Sequence, residues 1–131
     1  MKYILLLTGT KADFEEFAKW PKQDLHAHLD FMHALNKELK DSGAFVAAEG
    51  LDWYDQAKIV RAGNDGEPVT DGIFPESKEF LAGYWIVDVE NAEQAYRIAA
   101  RASMAPAPGW AKRGRLPVEV RQIMSKPPDW M

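Results

Sequence analysis

Leu25, Leu29, Met32, Leu35 and Leu39 recur at steps of three and four residues, and this stripe constrains the fold more than any other feature of the chain. A helix with one apolar face must lay that face on something, and a sheet is the commonest partner. The ends of this helix are written into the sequence. Pro21 fits a first helical turn, where its missing N–H costs nothing. Gly43 suits the left-handed residue that closes a helix, so the spacing predicts a helix running to about Ser42. Ahead of it, residues 2–8 form an unbroken apolar run bounded by Thr8-Gly9-Thr10, the pattern of a central strand covered on both faces. Between the two, Asp13 with Glu16 three residues later reads as a capping pair opening a short helix that ends at Trp20.

The remainder completes the pattern. Residues 44–51 read as a second strand, and 57–62 with 67–70 flank Gly63-Asn64-Asp65-Gly66, turn chemistry suited to a hairpin. Pro68 marks its second arm as an edge strand. Residues 80–89 give the longest strand. Asn91 caps a second main helix, with Ala92, Ala95, Ile98 and Ala99 along one side. A loop rich in Pro, Gly and Ala covers 103–116, and a last strand runs from Val118 to Met124. The order of elements predicts one α+β domain over 1–131, residues 125–131 being a Pro-rich tail. Its layout is a ferredoxin-like antiparallel sheet with helices on one face. Phe45, Tyr84 and Trp85 place large groups on both sheet faces. A second copy packed sheet to sheet is the simplest cover, which predicts a homodimer forming a dimeric α+β barrel.

Composition narrows the function classes. There are no cysteines, which excludes disulfides, thiolate zinc sites and thiol nucleophiles. With 20 acidic and 16 basic residues the net charge is -4, and only Lys112, Arg113 and Arg115 cluster. That is not the basic footprint of a nucleic-acid binder. The N-terminal apolar run is too short for a membrane span and lacks a cleavage site, so the expected location is the cytoplasm. No phosphate-binding glycine loop, nucleotide fingerprint or nucleophile elbow is present.

Val69-Thr70-Asp71-Gly72-Ile73-Phe74-Pro75-Glu76-Ser77-Lys78-Glu79 resembles the signature of the DGPF group within the YCII-related family. The likeness continues through Gly83-Tyr84-Trp85-Ile86-Val87-Asp88-Val89, the alanine-rich helix from Ala92, and Val118-Glu119-Val120-Arg121. Upstream, Gly43 and the strand to Glu49-Gly50-Leu51 fit the same pattern. The resemblance implies a ferredoxin-like dimer with a pocket between sheet and helices. It also implies either lyase or isomerase chemistry on ring-derived acids or halogenated phenols, or a non-catalytic module tied to an extracytoplasmic-function sigma factor. Two departures stand out. Ile73 replaces the signature's proline, and the family's helical His slot is Met32, with His28 one turn earlier. The family's Asp-Pro element after the second helix has no match here, and Ser103 to Pro106 occupies that region instead.

All three histidines lie on the long helix. His26, Asp30 and His33 fall within about 60° of one another, a spacing that suits zinc or proton transfer and equally suits a solvated face. No metal is expected there. His28 shares the stripe's edge with Met32, Leu35 and Leu39, so it points toward the sheet. It is the first choice for a general base, against the plainer reading of a satisfied, partly buried histidine. Asp71, on a tight turn, is a second acid–base candidate or simply a turn former. Arg121 shares a strand face with Glu119, where it would clamp a substrate carboxylate or form an ion pair. Glu49, Tyr84 and Trp85 complete the expected binding residues, and Trp53, Trp110 and Trp130 are further candidates for an aromatic lining. The leading expectation is a homodimeric domain that binds a small carboxylate or aromatic ligand. It would carry cofactor-free acid–base activity of lyase or isomerase type. The alternatives are the sigma-factor module and a bare assembly platform.

Overall fold

The computed structural model describes residues 1–72, 79–111 and 116–130. Strand β1 (Lys2–Gly9) leads into helix α1 (Lys11–Ala18), the long helix α2 (Lys22–Ser42) and strand β2 (Phe45–Gly50). A 3-10 turn (Tyr54–Gln56) precedes the hairpin β3 (Ile59–Ala62) and β4 (Pro68–Asp71). Strand β5 (Phe80–Asp88), helix α3 (Ala92–Ser103) and strand β6 (Val118–Gln122) follow. The main sheet has the order β2-β5-β1-β6 with every neighbouring pair antiparallel. Each helical crossover therefore skips one strand, and the two strand–helix–strand units interleave. That is the ferredoxin-like α+β arrangement expected from the sequence. The hairpin β3–β4 forms its own two-stranded sheet and does not extend the main one.

Helix ends follow local chemistry. Pro21 is the residue before the first turn of α2, and Gly43 closes the helix in the left-handed region at φ 82°. Asn91 accepts from the backbone N–H of Gln94 at the start of α3. The expectation for α1 needs correcting. Its cap is Thr10, which accepts from the Asp13 N–H at 3.2 Å while Asp13 accepts from the Thr10 N–H at 2.9 Å. Asp13 is thus the far half of a capping box that starts three residues earlier than the Asp13–Glu16 pairing suggested.

Alternation along β1 and β5 separates two faces of the sheet. Tyr3, Leu5, Trp85 and Val87 lie in the core under the helices, Leu5 and Val87 with no exposure at all. Helix α2 contributes Leu35 and Leu39, and α3 contributes Ala95, Ala99 and Ala102, small side chains that let its backbone come close to the sheet. On the other face, register aligns Ile86 with Ile4 and Ile4 with Arg121, and next to them Glu49, Tyr84, Leu6 and Glu119. No helix covers this second face among the described residues. The stripe on α2 is rotated from the one the leucines suggest. His28, Leu35 and Leu39 are buried with Met32 packed beside them, whereas Leu29 is 49 % exposed. No helix among the described residues is long and apolar enough to cross a membrane.

Candidate functional site

Between the sheet and the N-terminal half of α2 lies a cavity of about 520 Å³. Its walls come from four places in the chain. Phe14, Phe17 and Trp20 arrive from α1 and the turn after it, and His28, Met32 and Asn36 from α2. Ala48, Gly50, Gly83 and Trp85 come from the sheet, and Ala105 and Ala107 from the segment after α3. A cavity of this size, mostly apolar with a few polar groups, is what a small-molecule site looks like.

The aromatic walls hold one another by edge contacts. Phe14 meets Trp53 at 5.4 Å and Tyr54 at 5.3 Å between ring centroids, both edge-on, and Tyr54 stacks on Phe80 at 4.9 Å. Trp85, 5 % exposed, donates from Nε1 to Asn36 Oδ1 at 2.7 Å, which fixes the back wall to α2. Offset and edge geometries of this kind add to the burial of each ring.

His28 is the buried polar group among the described residues, at 8 % exposure. Its ring meets Phe17 and Trp20 edge-on at 5.7 and 5.5 Å. Nδ1 lies 3.2 Å from the carbonyl oxygen of Pro106, an acceptor only. That contact selects the tautomer with the proton on Nδ1 and leaves Nε2 as the basic atom. Burial pushes the His28 pKa below its ordinary value of 6.5, and the bond to the Pro106 carbonyl offsets this only in part. His28 is therefore neutral at pH 7. The Pro106 segment supplies a neutral carbonyl to the histidine rather than a carboxylate. A carboxylate would favour the imidazolium more strongly, so the carbonyl keeps the ring a weaker base that is free at neutral pH. Close by, Trp20 Nε1 is buried and has no hydrogen-bond partner among the described residues.

A model of the YCII-related domain matches residues 1–116. The chain belongs to the YCII-related domain family. The match runs from β1 through α3 and the segment that carries Pro106, so every wall of the cavity except Leu116 itself at its limit falls well inside it. No curated protein matches the chain.

The YCII-related domain sorts the residues singled out from the sequence into three places. His28 and Trp85 meet in the cavity wall, and Tyr84 and Glu49 also border it, although their register places them on the opposite sheet face. Arg121 is exposed and lies outside the cavity. Its strand neighbour Val120 packs on the core, so alternation turns Arg121 to the uncovered face with the sheet between it and His28. Asp71 is exposed on β4, paired with Arg61 at 2.6 Å across the hairpin. His26, Asp30 and His33 form no metal-holding cluster among the described residues, though His33 borders the cavity. Trp53 lines it, whereas Trp110 and Trp130 are 55 % and 84 % exposed. Ile73 and Phe74 of the signature loop, and the Lys112, Arg113 and Arg115 cluster, lie outside the described residues.

Sequence reasoning missed Phe14, Phe17, Trp20 and Asn36. The short α1 carries two phenylalanines three residues apart followed by Trp20 at the same step, a spacing that puts all three on one side. That signal was available, but nothing local shows that this side turns back onto His28.

Proposed function

We propose that this YCII-related domain is a small-molecule-binding protein in which His28 acts as a cofactor-free general base, in chemistry of lyase or isomerase type. The observation that carries the reading is the Nδ1 contact of His28 with the Pro106 carbonyl at 3.2 Å, on the wall of an apolar cavity of about 520 Å³. A base that works at neutral pH must be unprotonated there and must keep one nitrogen available, and burial together with the carbonyl contact provides both. In the proposed step, Nε2 takes a proton from carbon beside a carbonyl and the electron pair moves onto the carbonyl oxygen. The imidazolium then returns the proton to another carbon, or a leaving group departs. The reading includes a second copy over the uncovered sheet face, where Ile4, Leu6, Tyr84 and Ile86 are only half-buried. A monomer in sedimentation at micromolar concentration would remove that part of it.

The test combines a binding screen with a proton-exchange assay. Ring ketones, lactones, phenols and short carboxylic acids are screened by NMR for shifts of the His28 ring. Any hit with a carbon acid is then followed in D2O. Wild-type protein is expected to accelerate exchange of the carbon-bound proton, and His28→Gln to lose that acceleration while still binding. Equal exchange rates in the two proteins would remove His28 as the base.

A further inference from the structure

In β2 and β5 the side chains that face the helices should alternate as large groups, yet two successive strands carry glycine at the same level. Gly50 pairs with Gly83 in register, and Gly83 pairs on its other side with Leu7, which packs on the core. Both glycines therefore lie on the helix-covered face, one row beyond Trp85 and Ala48, and both line the cavity. They differ in what a side chain would meet. A Cβ on Gly83 would come within 2.9 Å of the Glu49 carbonyl oxygen, so that position is closed by the neighbouring strand. A Cβ on Gly50 would meet nothing within 4 Å, and its φ is not positive. Gly50 is thus an exposed strand residue whose backbone tolerates a side chain and whose side-chain space opens onto the cavity.

We infer that the Gly50–Gly83 pair is the sheet-side wall at one end of the cavity and limits the size of ligand it takes. The ligand class it selects is a predominantly apolar molecule of about two fused rings, larger than a single-ring acid or phenol. Size supports this. A cavity of about 520 Å³ lies within the roughly 300–1,000 Å³ of sites that bury most of a drug-sized ligand. A single ring held against His28 would fill only part of that volume. Chemistry supports it as well, because Leu7 beside Gly83, and Ala48 and Trp85 one row on, offer a ring apolar contacts. The inference rests on the cavity being a ligand site, as proposed above, and specifies which end of it discriminates.

The experiment measures calorimetric binding of 2-naphthol and phenol to wild type, Gly50→Ala and Gly50→Val. Wild type is expected to bind 2-naphthol more tightly than phenol. Gly50→Val should weaken 2-naphthol at least about tenfold, the scale of a few methylenes in an apolar pocket, and leave phenol within about twofold. Gly50→Ala, the smallest addition, should fall between them and serves if the valine variant folds poorly. Two probes that bind wild type but weaken equally, or not at all, in the variants would overturn the role of this wall and leave the ligand site standing. If neither probe bound wild type, the cavity would fail as a ligand site for this class and the inference with it.

Discussion

The hydrogen bond from Trp85 to Asn36 ties the sheet to α2 behind the cavity, and its worth can be worked out from its surroundings. Asn36 borders the cavity, so when Trp85→Phe removes the donor, water can reach the Asn36 carbonyl. The hydrogen-bond part of that cost is then the net value of an ordinary bond, about 1 kcal/mol. Asn36→Ala is different. It strands the indole N–H of a residue only 5 % exposed, and a buried donor left without a partner costs about 1–3 kcal/mol. The double variant removes both groups, so the two single losses should not add. A coupling of about 1 kcal/mol is expected from the cycle. Urea unfolding followed by far-UV circular dichroism at one fixed protein concentration gives the four free energies without relying on the fluorescence of the mutated tryptophan. In thermal melts a loss of that size corresponds to roughly 3–5 °C for a domain of this length. Additivity within about 0.3 kcal/mol would refute the reasoning, because the bond would then contribute nothing beyond packing.

Leu35, 1 % exposed between α2 and the sheet, should lose about 2–5 kcal/mol on Leu35→Ala, read as a lower urea midpoint with unchanged slope. His28 gives a pH dependence with a definite sign. Its folded pKa is lowered by burial from 6.5, so between those two values the unfolded chain binds more protons than the folded one. The stability linked to His28 is complete above pH 6.5 and is lost as pH falls toward and through the lowered folded value. Denaturation measured from pH 4.5 to 8 should show this slope in wild type and its absence in His28→Gln. An identical slope in both would show that the histidine is not titrating differently on folding.

The elements were legible where the signal is local. The apolar run of β1, the Pro21 and Gly43 limits of α2 and the Asn91 cap of α3 depend on neighbouring residues only, and each lies where the sequence puts it. The rotation of the α2 stripe was not legible, because Leu29 and His28 compete for one slot. The winner depends on α1 and the Pro106 segment packing over His28, contacts distant in sequence. The site was read in part for the same reason. Strand alternation places Arg121 with Glu119 correctly, but which face of the sheet the helices choose is decided by the whole packing. The capping box at Thr10 was readable in principle, and Asp13 drew attention to the wrong end of it.

The separate β3–β4 sheet has one more consequence. Every residue of its two strands is exposed, the turn between them contains Gly66 at φ 84°, and it shares no ladder with the main sheet. Cutting the chain in that turn would break no strand that carries the cavity. New termini or an inserted reporter domain between Gly63 and Gly66 should therefore leave the cavity intact. The protein thus offers a place to build a circular permutant, or a sensor in which occupancy of the cavity is read from a fused fluorophore.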